Sequence, residues 1–158
     1  MKVLFLDIDG VCNSRAYLYR LRAKNKKATL WYGIDPEAAK LVRRIVEETK
    51  CVVVLSSTWR MYADGRAQIK REVCRFIDCT KDLQAGAKRG YVPRGEEIQE
   101  WLSRHPNVTQ YAILDDDSDF LPNQWLFKTT FEKGITEDIA QAVIDHLNAG
   151  DRVFAKKY

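Results

Sequence analysis

The chain has 158 residues, 46% of them apolar and 30% charged, proportions that fit one folded domain with a sizeable core and exclude a disordered or fibrous polymer. The net charge of +4 is modest but unevenly spread. Residues 14–27 hold Arg15, Arg20, Arg22, Lys24, Lys26 and Lys27 without an acid, whereas residues 106–158 carry five basic and nine acidic side chains, so an anionic partner is expected on the N-terminal side.

The first element is an apolar, β-prone run, Lys2-Val3-Leu4-Phe5-Leu6, which ends in Asp7-Ile8-Asp9-Gly10. Strand alternation points Asp7 and Asp9 the same way and Ile8 back toward the protein. Two like charges at one strand end are costly unless a cation or a proton sits between them. Residues 11–35 show no clean period and mix Tyr17, Leu18, Tyr19, Leu21, Leu30, Trp31 and Tyr32 with the basic side chains, which reads as a flap or small insertion. Pro36 then starts a helix with Asp35 as N-cap and Ala39, Val42, Ile45 and Val46 on its apolar face. Cys51-Val52-Val53-Val54-Leu55 has the β-branched character of a buried parallel strand and ends at Ser56-Ser57-Thr58.

Residues 66–77 read as a helix with Ile69, Val73, Phe76 and Ile77 facing inward, and residues 76–80 as a short further strand. The stretch from Lys81 to Arg94 is loop-like, with Gly86, Gly90, Pro93 and the cations Lys81, Lys88, Arg89 and Arg94. A helix opens at about Gly95, places Glu96 and Glu97 in its first turn, buries Ile98, Trp101 and Leu102, and stops at His105-Pro106-Asn107. Tyr111-Ala112-Ile113-Leu114 is a strand that runs into Asp115-Asp116-Asp117-Ser118-Asp119. Residues 125–128 form a last short strand, and Thr136 begins a terminal helix through about Asn148.

Alternation of this kind implies an α/β fold, a mostly parallel sheet covered on both faces, with ligands bound beyond the carboxyl ends of the strands. Asp7, Asp9, Ser56, Asp115 and Asp116 all follow apolar runs and are therefore expected on one rim. Cys12, Cys51, Cys74 and Cys79 form no CxxC pair and have no His at ligand spacing, which excludes a zinc or redox motif and leaves a reduced, cytoplasmic protein as the expectation. The short N-terminal apolar run, broken by Asp7, does not read as a signal peptide, and no stretch reaches membrane-spanning length.

The four stretches Asp7-Ile8-Asp9-Gly10-Val11-Cys12-Asn13-Ser14, Leu55-Ser56-Ser57-Thr58-Trp59-Arg60, Arg94-Gly95-Glu96-Glu97-Ile98 with Trp101-Leu102, and Ile113-Leu114-Asp115-Asp116-Asp117-Ser118-Asp119 occur in the order found in the haloacid dehalogenase (HAD) superfamily of phosphotransferases. Together they most resemble the HAD domain of Swiss Army Knife RNA repair proteins, over Val3 to about Thr136. The resemblance implies a HAD-like Rossmannoid three-layer sandwich, a single domain over residues 1–158 with a flap or minimal cap at about 11–35. One departure is visible: Arg94 stands where many relatives have Lys.

A carboxylate can attack phosphorus and form an acyl phosphate, dividing one hard displacement into two easier ones, and Asp7 is the expected nucleophile. By resemblance, Asp9 protonates the leaving oxygen and then deprotonates water, a role in which the neighbouring negative charge helps it hold a proton. An oxygen-rich site without Cys or His suits Mg²⁺, with Asp7, the Asp9 main-chain carbonyl and Asp115 or Asp116 as ligands. Ser56 and Arg94 would hold the phosphoryl oxygens; Lys88 and Arg89 are alternative cations, and Gly10, Ser57 and Arg60 are expected near substrate. Ser56 alone reads equally as a turn hydroxyl, Asp117 and Asp119 as supporting or solvated acids, and Trp59 as core.

Six bases and three aromatics between Arg15 and Trp31 suit a nucleic-acid backbone, and equally a solvated amphipathic helix. A short insertion leaves the rim open, which favours a phosphorylated nucleic-acid end over a small metabolite. A mononucleotide 5′-phosphatase is the second enzymatic reading, and an inactive nucleic-acid-binding module with the same fold is the third. A receiver-type phosphorylation switch is disfavoured, because there the acidic pair follows the first strand and a lone acceptor Asp a middle strand, whereas here Asp-x-Asp comes first and the pair late.

Overall fold

The computed structural model describes residues 1–26, 33–85, 87 and 90–155, with side chains described through residue 149. Five parallel strands form the sheet: β1 (Lys2–Leu6), β2 (Val52–Leu55), β3 (Asp78–Cys79), β4 (Gln110–Asp115) and β5 (Leu126–Lys128), in the spatial order β3-β2-β1-β4-β5. The helices are α1 (Arg15–Lys24), α2 (Pro36–Thr49), α3 (Ala63–Glu72), α4 (Arg94–Ser103) and α5 (Glu137–Ala155). This is the HAD-like Rossmannoid α/β architecture that the motif order implied.

Each face of the sheet has its own core. Leu4 and Leu6 of β1, Val53 and Leu55 of β2, and Ala112 and Leu114 of β4 pack with Val42 and Ile45 of α2, Ile69 of α3 and Val143, Ile144 and Leu147 of α5. The alternate residues Val3, Phe5, Val54 and Ile113 pack with Ile98 and Trp101 of α4. Phe5 meets Trp101 edge to face at 5.4 Å, a favourable aromatic geometry. Both faces are covered, which is why the central strands carry unbroken apolar runs rather than alternating ones.

Register carries this packing to the rim. Leu6 pairs with Leu55 on one side and with Leu114 on the other, so the residues that follow, Asp7, Ser56 and Asp115, stand in one row. The Asp7 N–H donates to Leu114 O at 3.0 Å and the Ser56 N–H to Leu6 O at 3.1 Å, which ties the three strand ends together. The chain leaves β1 toward β2 and later returns to the opposite side of β1 as β4. The crevice of this parallel sheet therefore opens between β1 and β4, beyond their carboxyl ends.

Several elements differ from the sequence expectation. Within the expected flap, Ser14 caps α1 by accepting from the Tyr17 N–H, and the helix buries no residue. Leu30, Trp31 and Tyr32 lie outside the described residues. α3 runs over Ala63–Glu72 rather than 66–77, and Ile77 is exposed. The cause is Arg43 of α2, whose Nη1 donates to the carbonyls of Glu72 and Val73 at 2.9 and 3.0 Å and so satisfies the helix end. α5 continues past Asn148 to Ala155. No helix among the described residues is long and apolar enough to cross a membrane, and all four cysteines are free thiols whose pKa values burial raises.

Candidate active site

Asp7 leaves β1 almost wholly buried, with Ser57, Arg94 and Asp115 around its carboxylate. Its Oδ1 lies 3.1 Å from Arg94 Nη1, and the same nitrogen donates to Asp115 Oδ2 at 2.5 Å. Asp115 Oδ1 in turn accepts from the Asp117 N–H at 2.9 Å. Burial, and after it the charge of Asp115, push the Asp7 carboxyl up to about 7, against the lowering influence of Arg94, the Ser57 hydroxyl and the backbone at Ile8. The like charge that matters most is thus Asp115 across the sheet, not Asp9 two residues along the strand. Burial also raises Asp115 and Asp116.

Asp7, Asp115 and Asp116 each offer a carboxylate oxygen within 4.8 Å of the others. Among the described residues Arg94 is the cation paired with these acids, contacting two of the three, so the described cluster holds more negative charge than its guanidinium offsets. An all-oxygen donor set with excess negative charge fits a hard divalent cation, and Mg²⁺ fits the small number of carboxylates. Asp116 is seated by Gly10, whose φ is +70°: a Cβ there would stand 2.1 Å from Asp116 Oδ2. Glycine is therefore required by backbone conformation and by the close approach of a carboxylate.

Arg94 reaches the crevice because it occupies the first position of α4. Its own N–H donates to Asp119 Oδ2 at 2.9 Å and the Gly95 N–H to Asp119 O at 3.0 Å, so Asp119 serves as the cap that Pro93 cannot provide. Gly95 allows the approach: a Cβ there would meet Leu121 N at 2.7 Å. Burial opposes the Arg94 charge but is outweighed by Asp7 and Asp115, and the net direction of its pKa is upward. The other expected cations, Lys88 and Arg89, lie outside the described residues.

Ser56 is fully buried, and among the described residues its Oγ has no hydrogen-bond partner. An unsatisfied buried hydroxyl costs roughly 1–3 kcal/mol, and a polar group arriving at the rim would relieve it. The Ser57 hydroxyl accepts from the Trp59 N–H at 3.3 Å and bonds the Asp7 carboxylate. Beside Arg94 a cleft of about 280 Å³ opens, with Thr58, Met61, Gln84, Tyr91 and Asp117 on its walls.

Arg60 was expected near substrate. It lies at the edge of that cleft, yet Nε donates to Thr80 O at 2.9 Å and Nη1 to the carbonyls of Ser56 and Ser57 at 2.7 and 3.0 Å. Nη2 donates to Glu97 Oε2 at 2.7 Å, an ion pair whose partners are 6% and 7% exposed. The guanidinium thus bonds α4 and the ends of β2 and β3, while the residue also lines the cleft.

Two residues beside Asp9 were not expected in the site. Asn13 Nδ2 donates to Asp9 Oδ1 at 2.7 Å, and Trp59 Nε1 donates to Asp9 Oδ2 at 2.9 Å. Asn13 lay within the quoted Asp-x-Asp-Gly stretch; for Trp59 a core role was expected, and it is indeed 8% exposed with its indole N–H turned to a carboxylate. The Asp9 side chain is not one of the three grouped carboxylates.

An all-parallel sheet with Asp-x-Asp-Gly after its first strand, hydroxyls after its second and acids after its fourth defines a HAD-type domain. The family model described as the HAD domain in Swiss Army Knife RNA repair proteins matches residues 3–140, and the chain belongs to that family. No curated protein and no solved structure matches the chain significantly.

Proposed function

We propose that the protein is a Mg²⁺-dependent phosphomonoesterase that acts through an aspartyl-phosphate on Asp7, with a phosphorylated nucleic-acid end as substrate. The observation that carries this reading is the cluster of buried Asp7 and Asp115 with half-buried Asp116, Arg94 paired to the first two, beside a serine hydroxyl without a partner among the described residues. Asp7, Asp115 and Asp116, with the Asp9 carbonyl, would hold the cation, which when bound lowers the repulsion between a carboxylate and a phosphate.

Asp7 Oδ attacks phosphorus and forms the new O–P bond as the bond to the leaving oxygen breaks. Asp9 gives its proton to that oxygen. Water then attacks the phosphorus of the acyl phosphate, Asp9 takes up a proton, and the Asp7–phosphorus bond breaks to release phosphate. Arg94 and Ser56 would bind the equatorial oxygens, where charge is greatest in the transition state. Gly10 would contribute through its backbone beside Asp116.

Support for a polymeric substrate comes from α1. Arg22 and Lys24 on α1, and Lys26 just beyond its end, are exposed, as is Tyr19. Arg15 pairs with Glu132 and Arg20 with Asp35. Lys27 lies outside the described residues. The test compares 3′- and 5′-phosphorylated oligonucleotides with mononucleotides, with and without Mg²⁺, for the wild type and Asp7→Asn. The expected result is Mg²⁺-dependent phosphate release from an oligonucleotide end, absent in Asp7→Asn. Preference for mononucleotides would refute the polymeric substrate, and turnover retained by Asp7→Asn would refute the nucleophile.

A further inference from the structure

Both oxygens of the Asp9 carboxylate are held, and each holder comes from a different strand end. Asn13 follows β1 in the turn in which the N–H groups of Val11, Cys12 and Asn13 all point to Ile8 O. It is 1% exposed, and its Oδ1 accepts from the Gly10 N–H at 3.0 Å. That bond settles the amide orientation, because an N–H can face only the carbonyl end, so the NH₂ end is the one that meets Asp9 Oδ1. Trp59 follows β2 in the 3₁₀ turn Thr58–Met61, and Ser57 fixes the start of that turn through the Trp59 N–H. The ring packs into the core on the α2 and α5 side of the sheet and leaves its N–H at the rim.

We propose that Trp59 and Asn13 are positioning residues for proton transfer by Asp9. This rests on the phosphatase reading above. A carboxyl group rotates freely about its bond to Cβ, and a proton donor in a phosphoryl transfer must meet the leaving oxygen along the line of displacement. Two donors on opposite oxygens stop that rotation, while each oxygen keeps a further lone pair for the proton in transit. In the first step the proton passes from Asp9 to the leaving oxygen as its bond to phosphorus breaks, leaving Asp9 as a carboxylate. Negative charge grows on the oxygens that Asn13 and Trp59 contact, and hydrogen bonds to a charged acceptor are the stronger ones. The two contacts therefore favour the transition state over the bound substrate.

A residue that positions a general acid matters in proportion to how much the leaving group needs a proton. Dinitrophenolate departs without one, whereas an alkoxide such as a nucleoside hydroxyl does not. The measurement is kcat/KM, which covers steps only through leaving-group departure, for 2,4-dinitrophenyl, 4-nitrophenyl, phenyl and alkyl phosphates. Wild type, Trp59→Phe and Asn13→Ala are compared in Mg²⁺, with thermal unfolding of each to establish the folded fraction. The ratio of alkyl to dinitrophenyl kcat/KM is expected to fall about tenfold in each variant, within the range that general acid catalysis contributes. A loss equal across the series, or none, would overturn the positioning role. If Trp59→Phe does not fold, Asn13→Ala carries the same comparison. Absence of Asp7-dependent turnover in the wild type on every ester would overturn the phosphatase reading itself and this role with it, an outcome distinct from a flat leaving-group series in an active enzyme.

Discussion

Arg60 and Arg94 both sit at the carboxyl end of the sheet, and both are surrounded by carboxylates and carbonyls, yet their surroundings are built to opposite rules. Arg60 meets one acid, Glu97, and four backbone carbonyls, so each face of its fork has a partner and the charges balance. Arg94 meets two acids with a third beside them, and a serine hydroxyl in the same crevice has no partner among the described residues. The first arrangement is closed and needs nothing more. The second has surplus charge and an unsatisfied polar atom, as a pocket awaiting a cation and a phosphate would. The same residue type at the same rim is thus structural or functional according to whether its partners saturate it.

The sharpest way to break this contrast is Asp7→Asn. Turnover is expected to fall by roughly three orders of magnitude or more, because the proposed nucleophile is gone. The metal-free protein is expected at the same time to melt several degrees higher at pH 8, since a buried carboxylate disfavoured by its neighbours has been neutralised. A drop in melting temperature would refute the surplus-charge reading. Next in size is Arg60→Met, which leaves Glu97 buried without its partner and should cost about 3–5 kcal/mol by denaturant titration. Addition of Glu97→Leu should recover much of that loss, because a balanced buried pair is replaceable by apolar groups. Arg94→Ala should reduce kcat/KM by about a hundred- to a thousandfold. Its thermal destabilisation should be reversed by Mg²⁺, whereas that of Arg60→Met should not; equal rescue of both would erase the distinction between them.

What the sequence disclosed follows the same division. Asp7, Ser56 and Asp115 were legible because each terminates an apolar run, and parallel register carries strand ends to one rim whatever else the fold does. Arg94 was legible as a cation at a helix start. The ion-pair partner of Arg60 was not, because it is Glu97, a residue 37 positions away on α4 that reads locally as an acid in a first helical turn. The early end of α3 was hidden for the same reason: Arg43 of α2 supplies the donors that stop it. Trp59 read as core, and most of its ring is core; only the placement of one N–H against Asp9 turns it toward the site. Local pattern reveals where a backbone runs, while the saturation of a side chain depends on elements far along the chain.

The smallest expected effect probes the charge surplus through solvent pH. The Asp7 carboxyl has an ordinary value of 3.8 and is pushed up to about 7 in the fold, by burial first and then by Asp115. The folded state thus holds this proton more tightly than the unfolded state does. The stability it contributes is fully present below about 3.8, declines between the two values, and is gone above about 7. Burial raises Asp115 and Asp116 in the same direction. Glu97 is also raised, by burial against the lowering influence of Arg60, so the metal-free protein loses stability with pH at both arginine clusters. On the proposed function, the Asp7 cluster is the one that exchanges its proton for a cation. Mg²⁺ at about a hundred times its dissociation constant adds roughly 2.7 kcal/mol, or about 5–10 °C in a chain of this length. That increment is expected at pH 8 and should largely vanish at pH 5, where protons occupy the site. In Asp7→Asn the increment should be reduced and less dependent on pH, while in Arg60→Met it should match the wild type. A Mg²⁺ shift as large at pH 5 as at pH 8 would mean that the cation binds away from the Asp7, Asp115 and Asp116 cluster.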